Sequence, residues 1–268
     1  MKKTAVLTIL LVFAVLLISS GCVAEQQTPS TGEKYIIGID DYAPWTYYEN
    51  GKPTGLDIEA AQWVAKNQGF DTEFRLIKWD EKEAELNNGT IDIIWSGLSV
   101  TPGREKDMTF TDTYWTDTLS AASRKDAGLT LDDFFSGKYT IAVQKACTAD
   151  DELPRILGEE KYQQMQNAGK IKNEYATFAE SMQTVSEGKA DFAVQNTLGI
   201  NDYIKSDRTL QNIGVIDENG EKYAAAVKKG NTKLLETLNK GIAALKKSQD
   251  WQYMQIKYGF AKSYAAGH

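Results

Sequence analysis

The pattern of hydrophobic and polar positions predicts alternating strands and helices along most of the chain. Apolar runs at 35–39, 74–79 and 91–94 have the length of buried strands. Between the first two runs, residues 55–69 place apolar side chains at helical spacing and end at a glycine. Strands separated by helices in this way are typical of an α/β fold.

The alternation continues to the end of the chain. The further predicted elements are a helix at 81–87, a strand at 139–143, a helix at 197–205, strands at 213–216 and 223–227 on either side of a turn at 217–220, and helices at 231–247 and 251–258. The apolar face of the helix at 231–247 is continuous, so we expect this face to be buried.

Two segments about a hundred residues apart share one order of residue types. Residues 86–97 and 185–196 each pass from a helix end to Gly-x-x-Asp, then to apolar strand residues, and then to small or polar residues. Upstream, the strand at 35–39 is matched by the strand at 139–143. The chain therefore predicts two similar α/β halves, which are too long to be solenoid repeats.

Two facing halves would create a cleft that polar residues enter from both sides. In open α/β sheets, ligands bind beyond the carboxyl ends of the strands. This rule places residues 40–42 and 96–104 on one wall, and Thr148 and Asn196 on the other. Clefts between lobes are favoured sites for small molecules.

The segment 95–104, with the sequence WSGLSVTPGR, is the strongest candidate for ligand chemistry. Open backbone N–H groups and small hydroxyls lie a few residues before Arg104. A guanidinium can bind both oxygens of a carboxylate, and each such bond contributes about 1.5–3 kcal/mol. A polar loop with a surface arginine explains the same residues equally well when they are considered alone.

Composition and charge exclude several functional classes. The net charge is −7 with no basic cluster, which argues against nucleic acid as a partner. The single histidine is His268, which argues against catalysis by a Ser-His-Asp triad and against histidine-based zinc sites. Cys22 and Cys147 have no metal-ligand spacing and are interpreted as two unrelated thiols. We therefore expect no metal and no cofactor.

Residues 1–22 have the features of a secretory signal. Lys2 and Lys3 precede an apolar core, and small residues lead to Cys22, as in a lipobox whose cysteine becomes lipidated. Ser19 stands where leucine is usual, and a cleaved signal with an incidental cysteine is the alternative. The polar residues 23–34 predict a flexible tether. We expect an extracytoplasmic protein, in the periplasm or at the outer face of the cell membrane, anchored by lipid.

Several acidic residues fit structural roles. Asp57 and Glu59 begin a predicted helix, where negative charge suits the helix dipole. Asp92 and Asp191 each follow Gly-x-x in a turn, and we expect them to bind backbone N–H groups. Cys147 is interpreted as a buried side chain, since no base is placed to activate it.

Five motifs occur in one order between residues 35 and 260. They are GID followed by YAPW within 38–45, GLDIE at 55–59, SGLSVTxxR at 96–104, FTDxY at 110–114, and GxxD at 188–191. Each is weak alone, whereas their order and spacing together are specific. They resemble the extracytoplasmic solute-binding proteins of family 3, which deliver polar amino acids to ABC importers.

The resemblance implies a periplasmic-binding-protein type II fold, in which each of two lobes is a mixed sheet flanked by helices. Two crossing hinge strands, near 114–118 and 219–223, would join the lobes. Lobe 1 would then comprise 35–113 plus 224–262, and lobe 2 would comprise 119–218. A monomer that closes on its ligand like a hinge is expected.

The resemblance also implies roles at the main-chain end of an amino acid. Arg104 would hold the α-carboxylate with backbone N–H groups of Ser99 and Thr148, while the Ser99 hydroxyl and the Gly97 carbonyl would face the α-amino group. The family's second-lobe aspartate falls on Asn196 here. An amide accepts a hydrogen bond but brings no charge, so ammonium binding should weaken or be assisted elsewhere.

At the side-chain end, the resemblance implies that Tyr42 and Trp79 wall the pocket. Either residue could instead be a packed core aromatic. The first loop is one residue short, so Asp40 or Asp41 could address the far end of the ligand, although the pair also fits a solvated turn. An acidic pair here favours a cationic or amide side chain.

The sequence therefore predicts a binding protein without catalytic activity. It would capture a small polar amino acid or a related zwitterion and deliver it to an ABC importer permease. Two alternatives are an enzyme on the same fold, such as a cyclohexadienyl-type dehydratase, and a ligand-sensing lipoprotein that serves a receptor.

Overall fold

Two five-stranded mixed sheets, each flanked by helices, and one two-stranded hairpin at 47–54 form the part of the chain that the computed structural model describes, residues 32–260. The predicted signal at 1–22 with its Cys22, and most of the predicted tether at 23–34, lie outside these residues. None of the helices between residues 32 and 260 has both the length and the apolar content to cross a bilayer.

The strands and helices follow one another along the whole described chain. The strands are β1 (Lys34–Ile39), β2 (Tyr47–Glu49), β3 (Lys52–Thr54), β4 (Asp71–Leu76), β5 (Ile93–Ile94), β6 (Met108–Phe110), β7 (Trp115–Arg124), β8 (Ile141–Gln144), β9 (Ile171–Tyr175), β10 (Phe192–Asn196), β11 (Leu210–Tyr223) and β12 (Ala226–Lys228). The helices are α1 (Leu56–Gln68), α2 (Lys82–Asn88), α3 (Leu131–Phe135), α4 (Thr148–Leu157), α5 (Glu159–Asn167), α6 (Phe178–Ser186), α7 (Thr197–Ser206), α8 (Thr232–Leu245) and α9 (Gln249–Lys257).

Lobe 1 is built on the sheet with strand order β4-β1-β5-β12-β6. Strand β1 runs parallel to β4 and β5, whereas β12 is antiparallel to β5 and β6. Helix α1 ends at Gly69, whose φ of 79° closes the helix in a left-handed conformation. The buried leucines and isoleucine of α8 pack toward α1, as the continuous apolar face predicted.

Lobe 2 is built on the sheet with strand order β11-β7-β10-β8-β9. Its β10, β8 and β9 are parallel, while β7 is antiparallel to both β10 and β11. Strands β7 and β11 are the two connections between the lobes, and they pair from Leu210 opposite Arg124 to Tyr223 opposite Trp115. The prediction of an α/β chain with two lobes and two crossing strands is confirmed.

Two predicted element bounds are wrong. The strand expected at 74–79 is β4, which ends at Leu76 because its pairing with β1 ends there, so Trp79 begins a 3-10 turn. The turn expected at 217–220 is part of β11, where the register against β7 shifts between Asp217 and Glu221. Residues 218–220 have no partner on β7, so the expected turn is a bulge within the strand rather than its end.

The two Gly-x-x-Asp segments have the same structural role. Asp92 accepts a hydrogen bond from the N–H of Ile36 at 2.8 Å, and Asp191 accepts one from the N–H of Thr140 at 2.8 Å. Each carboxylate thus fixes the beginning of a neighbouring strand segment in its own lobe. The predicted backbone contacts of these two aspartates are confirmed.

Candidate functional site

A cavity of about 20 Å³ is enclosed between the two lobes. Both lobes and the crossing strand β11 contribute to its wall. The lining residues are Asp40, Tyr42, Trp79, Ser96, Gly97, Ser99, Gln144, Cys147, Thr148, Gln195, Glu221 and Tyr223. An amino acid is several times larger than this space, so the lobes must separate to admit one.

The cavity lies where the strands of both sheets end. Asp40 follows β1, and Ser96 and Gly97 follow β5, while Gln144 and Gln195 lie at the carboxyl ends of β8 and β10. This is the position at which α/β sheets bind ligands, because polar loop groups can converge there without interrupting the core.

The guanidinium of Arg104 bridges the lobes at one side of the cavity. The side chain is 5% exposed, and its Nη1 donates to the carbonyl of Ser99 and to Oγ1 of Thr148, both at 3.1 Å. Its Nη2 donates to the carbonyl of Ala146 at 3.1 Å and lies 3.5 Å from Oδ2 of Asp151. A carboxylate that enters here would offer charged acceptors in place of neutral ones, which strengthens each bond.

A second buried cation, Lys82, lies beside Arg104. Its Nζ donates to the carbonyl of Ala146 at 3.1 Å, the same oxygen that Arg104 contacts, and to the carbonyl of Trp79 at 3.1 Å. Burial lowers the pKa of Lys82, and the nearby Arg104 charge lowers this pKa further. Glu83 lies 3.2 Å from Nζ of Lys82, and Asp151 lies near Arg104, so carboxylates already offset part of this positive charge. The shared neutral oxygen leaves room for a further anion in this part of the cleft.

The loop before α4 closes this side of the cavity. Ala146 adopts a left-handed conformation with φ of 57°, and its N–H donates to Asp150 at 3.1 Å. Thr148 is the first residue of α4, whose N-terminal end carries partial positive charge. Burial raises the pKa of the Cys147 thiol to about 12, so this thiol is inert in the closed cavity, as predicted.

The Gly97 loop is fixed from within lobe 1. The N–H of Gly97 donates to Oδ2 of Asp57 at 2.7 Å, and the hydroxyl of Tyr114 donates to the same oxygen at 2.8 Å. Gly97 has a φ of 52°, and a Cβ there would lie 3.2 Å from Cε1 of Tyr42. Asp57 therefore does more than begin α1, because it also holds the loop that carries Ser99.

Asp40 lines both the cavity and the groove outside it. It is 4% exposed, its Oδ2 accepts from Nε2 of Gln144 at 2.7 Å across the lobes, and its Oδ1 accepts from the N–H of Asp41 at 2.9 Å. Burial raises the pKa of Asp40 to about 6. Asp41 is exposed, so the structure places Asp40 in the cavity and leaves Asp41 outside it.

An outer groove of about 450 Å³ adjoins the cavity and shares Asp40 and Trp79 with it. The groove is also lined by Asp41, Leu76, Ile77, Lys78, Asp80, Glu81, Lys145, Glu174, Ala176 and Thr177. An ion pair between Lys145 of lobe 2 and Asp80 of lobe 1, with Nζ and Oδ2 2.7 Å apart, crosses it. Trp79 thus separates the interior from the groove.

The amide of Asn196 is engaged by other protein groups. Its Oδ1 accepts from the Tyr42 hydroxyl and, at 2.9 Å, from the N–H of Gly199, so that Asn196 caps α7. Its Nδ2 donates to the hydroxyl of Tyr223 at 2.7 Å. Asn196 is fully buried and does not line the cavity, in which the neighbouring Gln195 takes part.

Glu221 is a site residue that the sequence did not reveal. Ser99 Oγ donates to its Oε1 at 2.7 Å, and the Tyr223 hydroxyl donates to its Oε2 at 3.1 Å. Burial raises the pKa of Glu221 to about 7. The usable signal was alternation on a predicted crossing strand, since Glu221 and Tyr223 point inward while Lys222 is exposed.

The structure brings most of the predicted ligand-binding residues together. Those that line the cavity are Asp40, Tyr42, Trp79, Gly97, Ser99 and Thr148. Arg104 lies directly behind Ser99 and Thr148, whereas Asp41 and Asn196 face elsewhere. Their roles toward a ligand stay predictions. Ser96 also lines the cavity, on the wall where the rule for strand ends placed 96–104. Residues that sequence reasoning missed are Gln144, Gln195, Glu221, Tyr223 and the adjacent Lys82.

Comparisons with known proteins agree with this architecture. The model of the bacterial extracellular solute-binding proteins, family 3, matches residues 35–261. The arginine-binding extracellular protein ArtP of Bacillus subtilis is 25% identical over 228 residues, covering 84% of this chain and 86% of that protein.

Solved structures show the same fold. A substrate-binding protein of an ABC uptake transporter from Streptococcus pneumoniae, with bound histidine, superposes with a TM-score of 0.76 at 26% identity over 85% of this chain and 93% of that one. The ancestral amino acid-binding protein AncCDT-1, a precursor of cyclohexadienyl dehydratase, gives 0.71 at 27% identity over 84% and 95%.

These matches span nearly all of the described chain and identify its fold as that of the type II periplasmic binding proteins. They also confirm the resemblance that the five sequence motifs indicated. The chain belongs to the bacterial extracellular solute-binding proteins of family 3.

Proposed function

We propose that this protein captures a small polar amino acid, or a related zwitterion, between its lobes and delivers it to an ABC importer. The observation that carries the proposal is the position of Arg104. Its buried guanidinium contacts Ser99 of lobe 1 and both Thr148 and Ala146 of lobe 2, so one bound carboxylate could link the two lobes.

The acidic side of the cleft supports a ligand with a basic side chain. Asp40 is buried where the cavity meets the outer groove, and its partner from lobe 2 is the neutral amide of Gln144. A cationic group would give this carboxylate a charged partner and reduce the cost of burying it. Relatives described as binding arginine and histidine are consistent with this choice.

Capture requires the lobes to move. We place the hinge at 114–118 and 219–223, with lobe 1 at 35–113 plus 224–262 and lobe 2 at 119–218. The bonds of Arg104, Gln144 and Lys145 all cross the cleft. An amino acid that satisfies both walls would replace these contacts and favour the closed form.

We further propose that the protein is a lipoprotein, held at the outer face of the membrane by a lipid on Cys22 while the permease receives the closed form. Incorporation of labelled palmitate that is lost in Cys22→Ser would support the anchor. Co-purification with a permease would support delivery, whereas co-purification with a sensor kinase would contradict it.

Capture without turnover is the part of the proposal that separates the protein from a dehydratase. The structural relative AncCDT-1 precedes such an enzyme but is itself described as amino acid-binding, so this likeness supports capture. Incubation with prephenate or arogenate is expected to leave both compounds unchanged, and product formation would contradict the proposal.

The central test is calorimetric titration of the purified protein, freed of co-purified metabolites, with a panel of amino acids. We expect L-arginine, L-histidine or another basic or amide amino acid to bind. The same compound at a hundred times its Kd should stabilise the fold by about 2.7 kcal/mol. If no amino acid or close analogue binds, the proposal is wrong.

A further inference from the structure

The neutral residue Asn196 has little capacity left for a ligand ammonium. Its Oδ1 already accepts hydrogen bonds from the Tyr42 hydroxyl and from the N–H of Gly199, and an amide oxygen has two lone pairs. Its Nδ2, a donor, points to Tyr223. An ammonium group brings three further donors, so it requires an acceptor elsewhere in the cleft.

Glu221 is a carboxylate in the wall of the same cavity. It is 7% exposed, and two protein donors reach it, Ser99 Oγ on Oε1 and the Tyr223 hydroxyl on Oε2. A carboxylate has about four acceptor positions, so about two are free for a third partner. A buried carboxylate gains most when that partner is a cation.

Ser99 brings Glu221 and Arg104 to the same place. Its hydroxyl donates to Glu221, while its carbonyl accepts from Arg104. The positive and negative groups of an amino acid are attached to one α-carbon, so their protein partners must be an anion and a cation that are close neighbours. Glu221 and Arg104 satisfy this condition on the two sides of Ser99.

The backbone fixes this arrangement. Ser99 pairs with Tyr223 in an isolated bridge, and the N–H of Val100 donates to the carbonyl of Lys222 at 2.8 Å. The alternation of β11 then turns Glu221 and Tyr223 to the cavity. The Tyr223 hydroxyl also accepts from Asn196, so one chain of hydrogen bonds joins residue 196 to Glu221.

The charges around Glu221 do not give its carboxylate a cation of its own. Asp117 lies opposite it on β7, and this like charge adds to the burial that raises the pKa of Glu221. Asp117 itself is held by the N–H groups of Thr118 at 2.8 Å and Leu198 at 3.2 Å. Arg104 is the nearby positive charge, and in the proposed function it serves the ligand carboxylate.

We propose that Glu221, on the crossing strand, supplies the negative charge for the α-ammonium group of the bound amino acid, in place of the second-lobe position that Asn196 occupies. This inference rests on the proposed capture of an amino acid. It makes Glu221 a ligand-binding residue and Asn196 a positioning residue that acts through Tyr223.

The first test is calorimetry of Glu221→Gln with L-arginine or whichever panel amino acid the wild type binds. Loss of one charge-assisted contact is expected to weaken binding about 10- to 150-fold. Glu218→Gln, an exposed position on the same strand, is the matched control and should bind as the wild type does. Equal binding by Glu221→Gln and wild type would overturn the inference.

The second test uses a ligand without the ammonium group. For L-arginine this probe is δ-guanidinovalerate. If Glu221 contacts the ammonium, wild type should prefer L-arginine strongly, while Glu221→Gln should lose most of this preference. Adding Asn196→Asp to Glu221→Gln returns a carboxylate to the second lobe and is expected to recover part of the lost affinity. A preference that is the same in wild type and Glu221→Gln would contradict the contact.

A third measurement needs no substitution. At pH 7 a carboxyl group that becomes paired with an ammonium gives up its proton, so L-arginine binding should release protons while δ-guanidinovalerate binding should not. Titration in two buffers of different ionisation enthalpy measures this difference. It decides the inference even if Glu221→Gln does not fold, because equal release with both compounds would overturn it. Failure of every amino acid to bind wild type would instead refute the proposed function.

Discussion

The two walls of the cavity are held in different ways. On the lobe 1 wall, polar groups bond within lobe 1, with the N–H of Gly97 on Asp57 and the N–H of Asp40 on Ser96 Oγ at 3.0 Å. On the lobe 2 wall, the Gln144 amide and the Ala146 carbonyl bond across to lobe 1. The backbone N–H groups of the lobe 1 loops are thus satisfied within lobe 1, although the side chains of Arg104 and Asp40 also reach lobe 2. On the lobe 2 wall, the Gln144 amide has one partner in its own lobe, the Ala176 carbonyl at 3.0 Å, and one in lobe 1.

This difference predicts an order of events. An amino acid is expected to dock on lobe 1 first, where the loop with Ser99 and Arg104 is already in place, and lobe 2 is expected to cover it. Changes on the lobe 1 wall should therefore abolish binding, whereas changes on the lobe 2 wall should shorten the lifetime of the complex. Two of the four experiments below test this contrast in ligand binding, and the other two test the stability of groups in the walls.

The largest effect is expected for Arg104→Ala. A bidentate guanidinium–carboxylate pair contains two charge-assisted hydrogen bonds of about 1.5–3 kcal/mol each, so affinity should fall by at least about 100-fold. Calorimetry with the amino acid that wild type binds measures the loss. Lys106→Ala removes an exposed cation two residues away and is the control. Unchanged affinity in Arg104→Ala would disprove the carboxylate contact.

The next effect concerns pH and the buried carboxyl of Asp57. Burial raises the pKa of Asp57 to about 7, above the value of about 3.9 in an unfolded chain. The folded protein therefore binds more protons than the unfolded chain between these values, and its stability should fall as pH rises through this window. Urea unfolding at several pH values measures this fall, which Asp57→Asn should reduce. An equally steep fall in the variant would show that Asp57 is not its source.

A pair of substitutions compares the two walls at one backbone conformation. Gly97 of lobe 1 and Ala146 of lobe 2 have similar positive φ values, 52° and 57°, but only the first of these two residues is a glycine. Gly97→Ala should cost about 1–2 kcal/mol of stability, and more if Tyr42 cannot move. Ala146→Gly relieves a similar strain in the folded state. It also raises the conformational entropy of the unfolded chain, which costs about 0.4–1 kcal/mol of stability, so the variant should be neutral or slightly stabilised. Urea unfolding of both variants decides, and a destabilised Ala146→Gly would contradict this account.

The smallest effect is expected for Thr148→Val. The substitution removes one acceptor of Arg104 and one polar group of the lobe 2 wall, which corresponds to about 0.5–1.5 kcal/mol or a roughly 2- to 12-fold loss of affinity. Stopped-flow kinetics should assign most of the loss to faster dissociation. A loss as large as that of Arg104→Ala would reverse the proposed ranking of the walls.

The fold could be predicted because its signals are local. Apolar runs, helix-ending glycines and the two Gly-x-x-Asp turns each lie within a few residues, and the aspartates bond to the neighbouring strand as expected. The residues of the lobe 1 wall could be predicted for the same reason. Gly97, Ser99 and Arg104 stand in one short segment, so their shared chemistry is visible in the sequence.

The missed residues depend on contacts between distant parts of the chain. Glu221 follows a sequence with turn preferences, and its partner Ser99 is 122 residues away. Gln144 directly follows the predicted strand at 139–143, and its amide reaches Asp40 over 104 residues. The orientation of Asn196 follows from two tyrosines on other elements. Site residues of this kind are recognised from hydrogen bonds between distant parts of the chain, and a local sequence pattern does not show these bonds.

The alkylation rate of the buried Cys147 thiol can be used to measure how often the lobes open. In the closed arrangement the thiol is shielded, and burial keeps its pKa near 12, so alkylating reagents react only with molecules whose lobes have parted. If the other cysteine of the chain, Cys22, carries a lipid, Cys147 is the single site of modification. The labelling rate would then report how often the two lobes open, and a bound amino acid should slow that rate.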